Sequence, residues 1–136
     1  MANSDNVIRA GLTPKLRDVP NLISGLTYSA SDASKHAVFP APLSSSSASI
    51  LYDPPAPEFS VVQVKLPPQQ TETHRSIDGP SVVIVTEGRG TVEWDIGERL
   101  EVGLGDVFII GAGCKVQFQS GGMKDFVVYR AFVEVK

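Results

Sequence analysis

From Ile50 to Val135 the chain alternates apolar and polar positions in short runs divided by turn residues. The runs are Ile50–Tyr52, Glu58–Leu66, Val82–Thr86, Gly90–Ile96, Leu100–Val102, Val107–Ile110, Lys115–Gln119 and Asp125–Val135, about eight strands in fewer than ninety residues. Short strands at this spacing predict a β-sandwich or jelly roll and argue against a parallel sheet with crossover helices. Their separators, "EGRG" at Glu87–Gly90, "GLGD" at Gly103–Asp106, "GAG" at Gly111–Gly113 and "SGGMKD" at Ser120–Asp125, carry glycines that can take up positive φ. Upstream the period changes. Asp18 can cap a helix and Pro20 fits its first turn, while Leu22, Ile23 and Leu26 share a helical face, which predicts a short helix over 19–28. Between them "SASDASKHAVFPAPLSSSSAS", residues 29–49, is rich in Ser, Ala and Pro without sustained periodicity and reads as a linker. The predicted organisation is an N-terminal segment 1–28, a linker 29–49 and a β domain 50–136.

Composition narrows the function classes. At 136 residues the chain has the size of one domain and can bury a real core. A hydrophobic content of 42%, a charged content of 20% and a net charge of -3 leave no basic excess for a nucleic-acid backbone or an anionic membrane, so neither partner is expected. No apolar run approaches the ~20 residues that span a bilayer, and the first thirty residues lack the apolar stretch of a signal peptide. The single cysteine, Cys114, cannot form an internal disulfide, in keeping with a reducing, cytoplasmic setting. Beside a glycine turn and with no histidine next to it, it reads as inert. Trp94, on the alternating run "TVEWDI", reads as packing, with Glu93 and Asp95 on the opposite, solvated face.

The phrases "VIVTEGRGTVEW" and "LEVGLGDVFIIGAG" resemble the cupin double-stranded β-helix, in which a strand ending in "EG" and a "GD" turn recur in this order. Cupins commonly hold a metal with three histidines and a glutamate, and counting from Gly88 and Gly105 puts those places at His74, Ser76, Ser81 and Val116. Only His74 can bind a transition metal, and a lone imidazole makes no metal site. The expectation is a metal-free barrel, with His74 an ordinary loop or rim residue.

A longer likeness covers nearly the whole chain. "SDNVIRAGLTPKLRDV" at Ser4–Val19, then "LISGLTY", then "YDPPAPEFSVVQV" past the linker, resemble the C-terminal portion of type I mannose-6-phosphate isomerases (phosphomannose isomerases). In that family a zinc-bearing cupin comes first, a helical insertion interrupts it, and a metal-free cupin ends the chain. The resemblance implies an aldose–ketose isomerase that converts mannose 6-phosphate to fructose 6-phosphate and supplies the precursor of GDP-mannose. The reaction moves a proton between C1 and C2 of the open-chain sugar, so charge on oxygen calls for a metal and a fixed cation. By resemblance Arg9 is that cation, its guanidinium always protonated and able to fork onto two oxygens. Lys15, in "TPK", would by resemblance lie near the phosphate of the sugar. Read without the resemblance, both are solvated surface charges.

The family's zinc ligands precede the stretch that resembles Ser4–Val19, and neither His36 nor His74 stands where its second histidine belongs. The resemblance therefore implies a chain with no cofactor of its own, inactive by itself, from an enzyme whose full length uses zinc. Two further readings stand beside it: a metal-free cupin that binds a sugar or another small molecule as a lectin does, and a β domain that serves structure or self-association.

Overall fold

A computed structural model describes residues 8–9, 14–43, 47–94 and 97–134. Chain contacts divide it into two units, Met1–Ala37 and Val38–Lys136.

The first unit holds a helix α1 (Val19–Ser24) and a 3-10 turn at Ala33–His36. The Asp18 carboxylate accepts the Asn21 backbone N–H at 3.2 Å, as an N-cap does, and Pro20 sits in the first turn. The helix is shorter than the predicted 19–28. It stops at Gly25, whose N–H closes back on the Asn21 carbonyl at 3.0 Å. No residue of α1 is buried, and the expected apolar face leaves Ile23 and Leu26 59% and 50% exposed. Six residues make few intrahelical bonds, so nothing extends a helix that has no packed face.

The second unit is built of strands: β1 (Ala41–Pro42), β2 (Ser49–Tyr52), β3 (Ser60–Leu66), β4 (Thr71–His74), β5 (Ser81–Glu87), β6 (Arg89–Trp94), β7 (Glu98–Gly103), β8 (Val107–Ile110), β9 (Val116–Ser120) and β10 (Phe126–Phe132). They form two antiparallel sheets, one in the order β1-β2-β3-β10-β5-β8 and the other β4-β9-β6-β7. This is the predicted cupin-type jelly roll. All eight predicted strands appear; β1 and β4 are additional. The barrel unit also starts earlier than position 50, since β1 pairs with β2 through Ala41↔Leu51 and Pro42↔Ile50, inside the stretch expected to be a linker. Asp95 and Ile96, expected to end one strand, and Val135, expected to end another, lie outside the described residues, as does most of Ser4–Thr13.

Alternation sets the core. In β3 and β10, paired residue for residue from Phe126↔Leu66 to Phe132↔Ser60, the inward set Val62, Val64, Leu66, Phe126, Val128 and Phe132 packs against Val83, Val85, Val92, Val116 and Phe118. Trp94 and Cys114 pack against this cluster, as expected of Trp94. Glycine is obligatory where β6 passes closest to its neighbours. A Cβ at Gly90 would run into the Gln119 carbonyl and the Phe126 ring. Gly88, at φ 72°, turns β5 into β6 in a conformation that L side chains rarely adopt.

Candidate functional site

The inward face of β10 carries one residue that breaks its pattern. Arg130 stands between Val128 and Phe132 on the core side, opposite Val62 of β3 and Val83 of β5, and is 1% exposed. On the facing sheet β4 has the same peculiarity. Its sequence "TETH" alternates as a strand should, but the inward positions are Glu72 and His74, 7% and 4% exposed. The expectation that His74 is a loop or rim residue is therefore wrong: it ends a strand and faces the interior. Its ring meets Phe118 edge-on, with centroids 5.2 Å apart and planes at 73°.

These residues join through Ser49, at the start of β2. Its hydroxyl donates to Glu72 Oε1 at 2.9 Å and lies 2.9 Å from His74 Nε2, while Arg130 Nη1 lies 3.3 Å from His74 Nδ1. Proton counting orders the chain. The one hydroxyl proton of Ser49 goes to Glu72, so Nε2–H of His74 donates to Ser49 Oγ, and the Nδ1 lone pair accepts from the guanidinium. Burial, and then the Arg130 charge, push the pKa of His74 down from 6.5 to about 4, with Glu72 pulling the other way. At neutral pH the imidazole is uncharged, as the order of donors requires. Burial and then Arg75 lower the pKa of Arg130 to about 10, which leaves it protonated.

The set Ser49, His74 and Glu72 is not a hydrolytic triad. In a triad the histidine sits between hydroxyl and carboxylate; here the serine does, its proton is given to the carboxylate, and it is fully buried. Nor do these residues fit zinc. A metal needs lone pairs converging from three or four ligands. One nitrogen of His74 carries a proton toward Ser49 and the other faces a cation, so a bound metal would set two positive charges against each other. Of the counted metal positions, Ser81 and Val116 are buried and Ser76 is exposed. Among the described residues no group of three or more His, Cys, Asp or Glu is placed to hold a metal.

A cavity of about 200 Å³ opens beside the network, lined by Leu43, Val62, Ile77 and Phe132 on its apolar side and by Thr73, His74, Arg75 and Arg130 on its polar side. A second, of about 130 Å³, lies among Val92, Trp94, Phe108, Cys114 and Val116 and has no charged lining residue.

Arg9 and Lys15 belong to the first unit. Arg9 is half-buried and Lys15 is exposed in a bend. Sequence reasoning misses the interior network, because Ser49, Glu72 and Arg130 stand in no recognisable motif. An arginine at an inward position of "FVVYRAF" is nonetheless a signal in itself.

Comparison with known proteins bears on the whole chain. Residues 49–95 match the family described as phosphomannose isomerase type I C-terminal. The mannose-6-phosphate isomerase of Cryptococcus neoformans is 44% identical over 135 residues, covering 98% of this chain and 30% of that protein. Nearly the whole chain is thus similar to mannose-6-phosphate isomerases. The Schizosaccharomyces pombe mannose-6-phosphate isomerase is 41% identical over 138 residues, with 99% of the chain and 33% of the relative covered. Among solved structures, a point mutant of the Salmonella typhimurium phosphomannose isomerase superposes with a TM-score of 0.77 at 27% identity, over 98% of this chain and 32% of that one. A Klebsiella pneumoniae protein with a double-stranded β-helix domain, 19% identical with a TM-score of 0.54 over 57% of this chain and 69% of its own, shares the fold. The chain thus corresponds to the C-terminal portion of the phosphomannose isomerases and spans about a third of the length of the curated relatives it matches.

Proposed function

We propose that the chain is the non-catalytic C-terminal portion of a zinc-dependent mannose-6-phosphate isomerase, which interconverts mannose 6-phosphate and fructose 6-phosphate in the cytoplasm and feeds GDP-mannose synthesis. The observation that carries this reading is similarity over 98–99% of the chain to mannose-6-phosphate isomerases at 41–44% identity. Its parts divide accordingly. The segment before α1 brings Arg9 and Lys15 to a sugar-phosphate site whose metal and walls come from the remaining part of the enzyme. There the Arg9 guanidinium offsets charge gathering on the sugar oxygens, and Lys15 meets the phosphate. The barrel closes its own interior with Arg130, His74, Ser49 and Glu72 and leaves neither nitrogen of His74 free for zinc.

The test is a chimera. Joined behind the first two thirds of the Cryptococcus neoformans relative in place of that protein's own end, the chain completes an active isomerase. Arg9→Ala in the chimera lowers kcat/KM by roughly a hundredfold, the scale of losing one charge-stabilising group. Lys15→Ala raises KM for the sugar phosphate. A folded chimera with full activity in the Arg9→Ala form overturns the reading. Elemental analysis of the unfused chain after dialysis is expected to find no molar equivalent of zinc.

A further inference from the structure

Within the barrel the position of Arg130 is unexplained by the fold. A guanidinium brought into a sheet interior loses its hydration, and only good partners make up for that loss. The guanidinium of Arg130 meets the neutral His74 through Nη1, and its Nε is buried without any hydrogen bond. Ser81, fully buried on the neighbouring strand β5 and two register positions away opposite Phe132, also has its hydroxyl unpartnered. The hydrogen bonds that link Glu72 to Arg130 run through Ser49 and His74. The charged residue that shares the cavity with Arg130 is another cation, Arg75, which follows β4, is exposed, and pairs with Glu134 at 2.6 Å. The electrostatic effect of Arg75 on Arg130 is unfavourable to the charge of Arg130.

Two guanidiniums and one neutral imidazole thus face a space of about 200 Å³ whose other walls are Leu43, Val62, Ile77 and Phe132. That volume exceeds the ~150 Å³ of an engineered apolar cavity that takes up benzene. We infer that this cavity is a binding site for a small organic monocarboxylate, its carboxylate held by Arg130 with Arg75 at the mouth and its apolar body against Leu43, Val62, Ile77 and Phe132. The planar fork of an arginine matches a carboxylate. Four apolar walls and the nearby Glu72 carboxylate disfavour a phosphate dianion, which would bring two negative charges and no apolar surface. All residues that line the cavity belong to the barrel unit.

Benzoate is the probe, followed by methyl NMR of the full chain, with benzamide and inorganic phosphate as controls. Benzoate is expected to saturate shifts at Leu43, Val62 and Ile77 with a dissociation constant below about 1 mM, and benzamide, of the same shape without charge, to bind about tenfold or more weakly. Arg130→Met keeps an apolar side chain of similar length in the core and is expected to abolish benzoate binding. Arg75→Gln, at an exposed position, weakens it about threefold. Equal binding of benzamide, preference for phosphate, or no saturation by benzoate overturns the proposal. So does unchanged affinity in Arg130→Met, or in Arg75→Gln should Arg130→Met not fold. Isomerase activity in the chimera does not depend on the result, so this inference and the functional reading can fail separately.

Discussion

Burial, and then the Arg130 charge, keep His74 neutral, and that bears on how the protein answers to acid. In the unfolded chain an imidazole takes a proton near pH 6.5, whereas in the barrel it does so only near 4. Between those values the unfolded state binds the extra proton, so stability is whole above pH 6.5 and falls as the pH drops toward 4. The full loss is on the order of 3 kcal/mol for this one residue. Urea unfolding at about pH 7.5 and about pH 5 should show a lower midpoint at the acid value, and a His74→Asn variant should lose most of that difference. In Arg130→Met the guanidinium is gone but the burial remains, so the pKa of His74, followed by its ring-proton NMR shifts, should rise from about 4 and stay under 6.5. A pKa unmoved by that substitution would mean that Arg130 does not face Nδ1. Gly90 is a second residue on which the fold turns. Its missing Cβ is what lets Phe126 and the Gln119 carbonyl approach β6, with the Phe126 ring carbons 2.7 and 2.8 Å from where that Cβ would stand. Gly90→Ala should destabilise by about 2–3 kcal/mol in denaturant unfolding, the scale of an overpacked core.

At the scale of elements, strands with an apolar inward set were legible in the sequence, and those with a polar inward set were not. β3, β5 and β10 declare themselves because Val, Ile, Leu and Phe recur at every second position. β4 has the same alternation in space, buried at Glu72 and His74, yet a pattern read through hydrophobicity cannot see it. The site was hidden for the same reason, since its members are polar residues on separate inward-facing strands whose meeting depends on sheet topology. β1 went unseen because it is two residues long, one a proline, and forms only by pairing with β2. The edge strand β8 makes a further prediction. Val107 and Ile109 are 60% and 74% exposed on its outer side, beside Ile84 and Val82 of β5, to which they pair. An uncovered apolar edge favours edge-to-edge association, which natural sheets suppress with lysine. Ile109→Lys should change unfolding free energy by less than about 0.5 kcal/mol and reduce aggregation in light scattering at high concentration. Marked destabilisation would show that Ile109 is covered.

At the scale of the molecule, the polar opening segment and the β unit make sense together only through the family. Arg9 and Lys15 lie in the unit that ends at Ala37, while the buried network lies in the unit that starts at Val38. The sequence motifs around the two cations were sufficient to point to phosphomannose isomerases, because "SDNVIRAGLTPK" is long and unusual. What the cations do was not legible in the same way, since the role proposed for them depends on groups outside their own motif. The most direct measurement is a coupled assay of the unfused chain for conversion of mannose 6-phosphate to fructose 6-phosphate, with and without added zinc, beside Arg9→Ala. Charges within reach of water are weak partners and are screened by salt, so two cations alone cannot stand in for an enclosed, metal-bearing site. The account predicts no turnover above the uncatalysed rate in any of these reactions. Turnover that requires zinc and disappears in Arg9→Ala would show a complete active site within these 136 residues and contradict it.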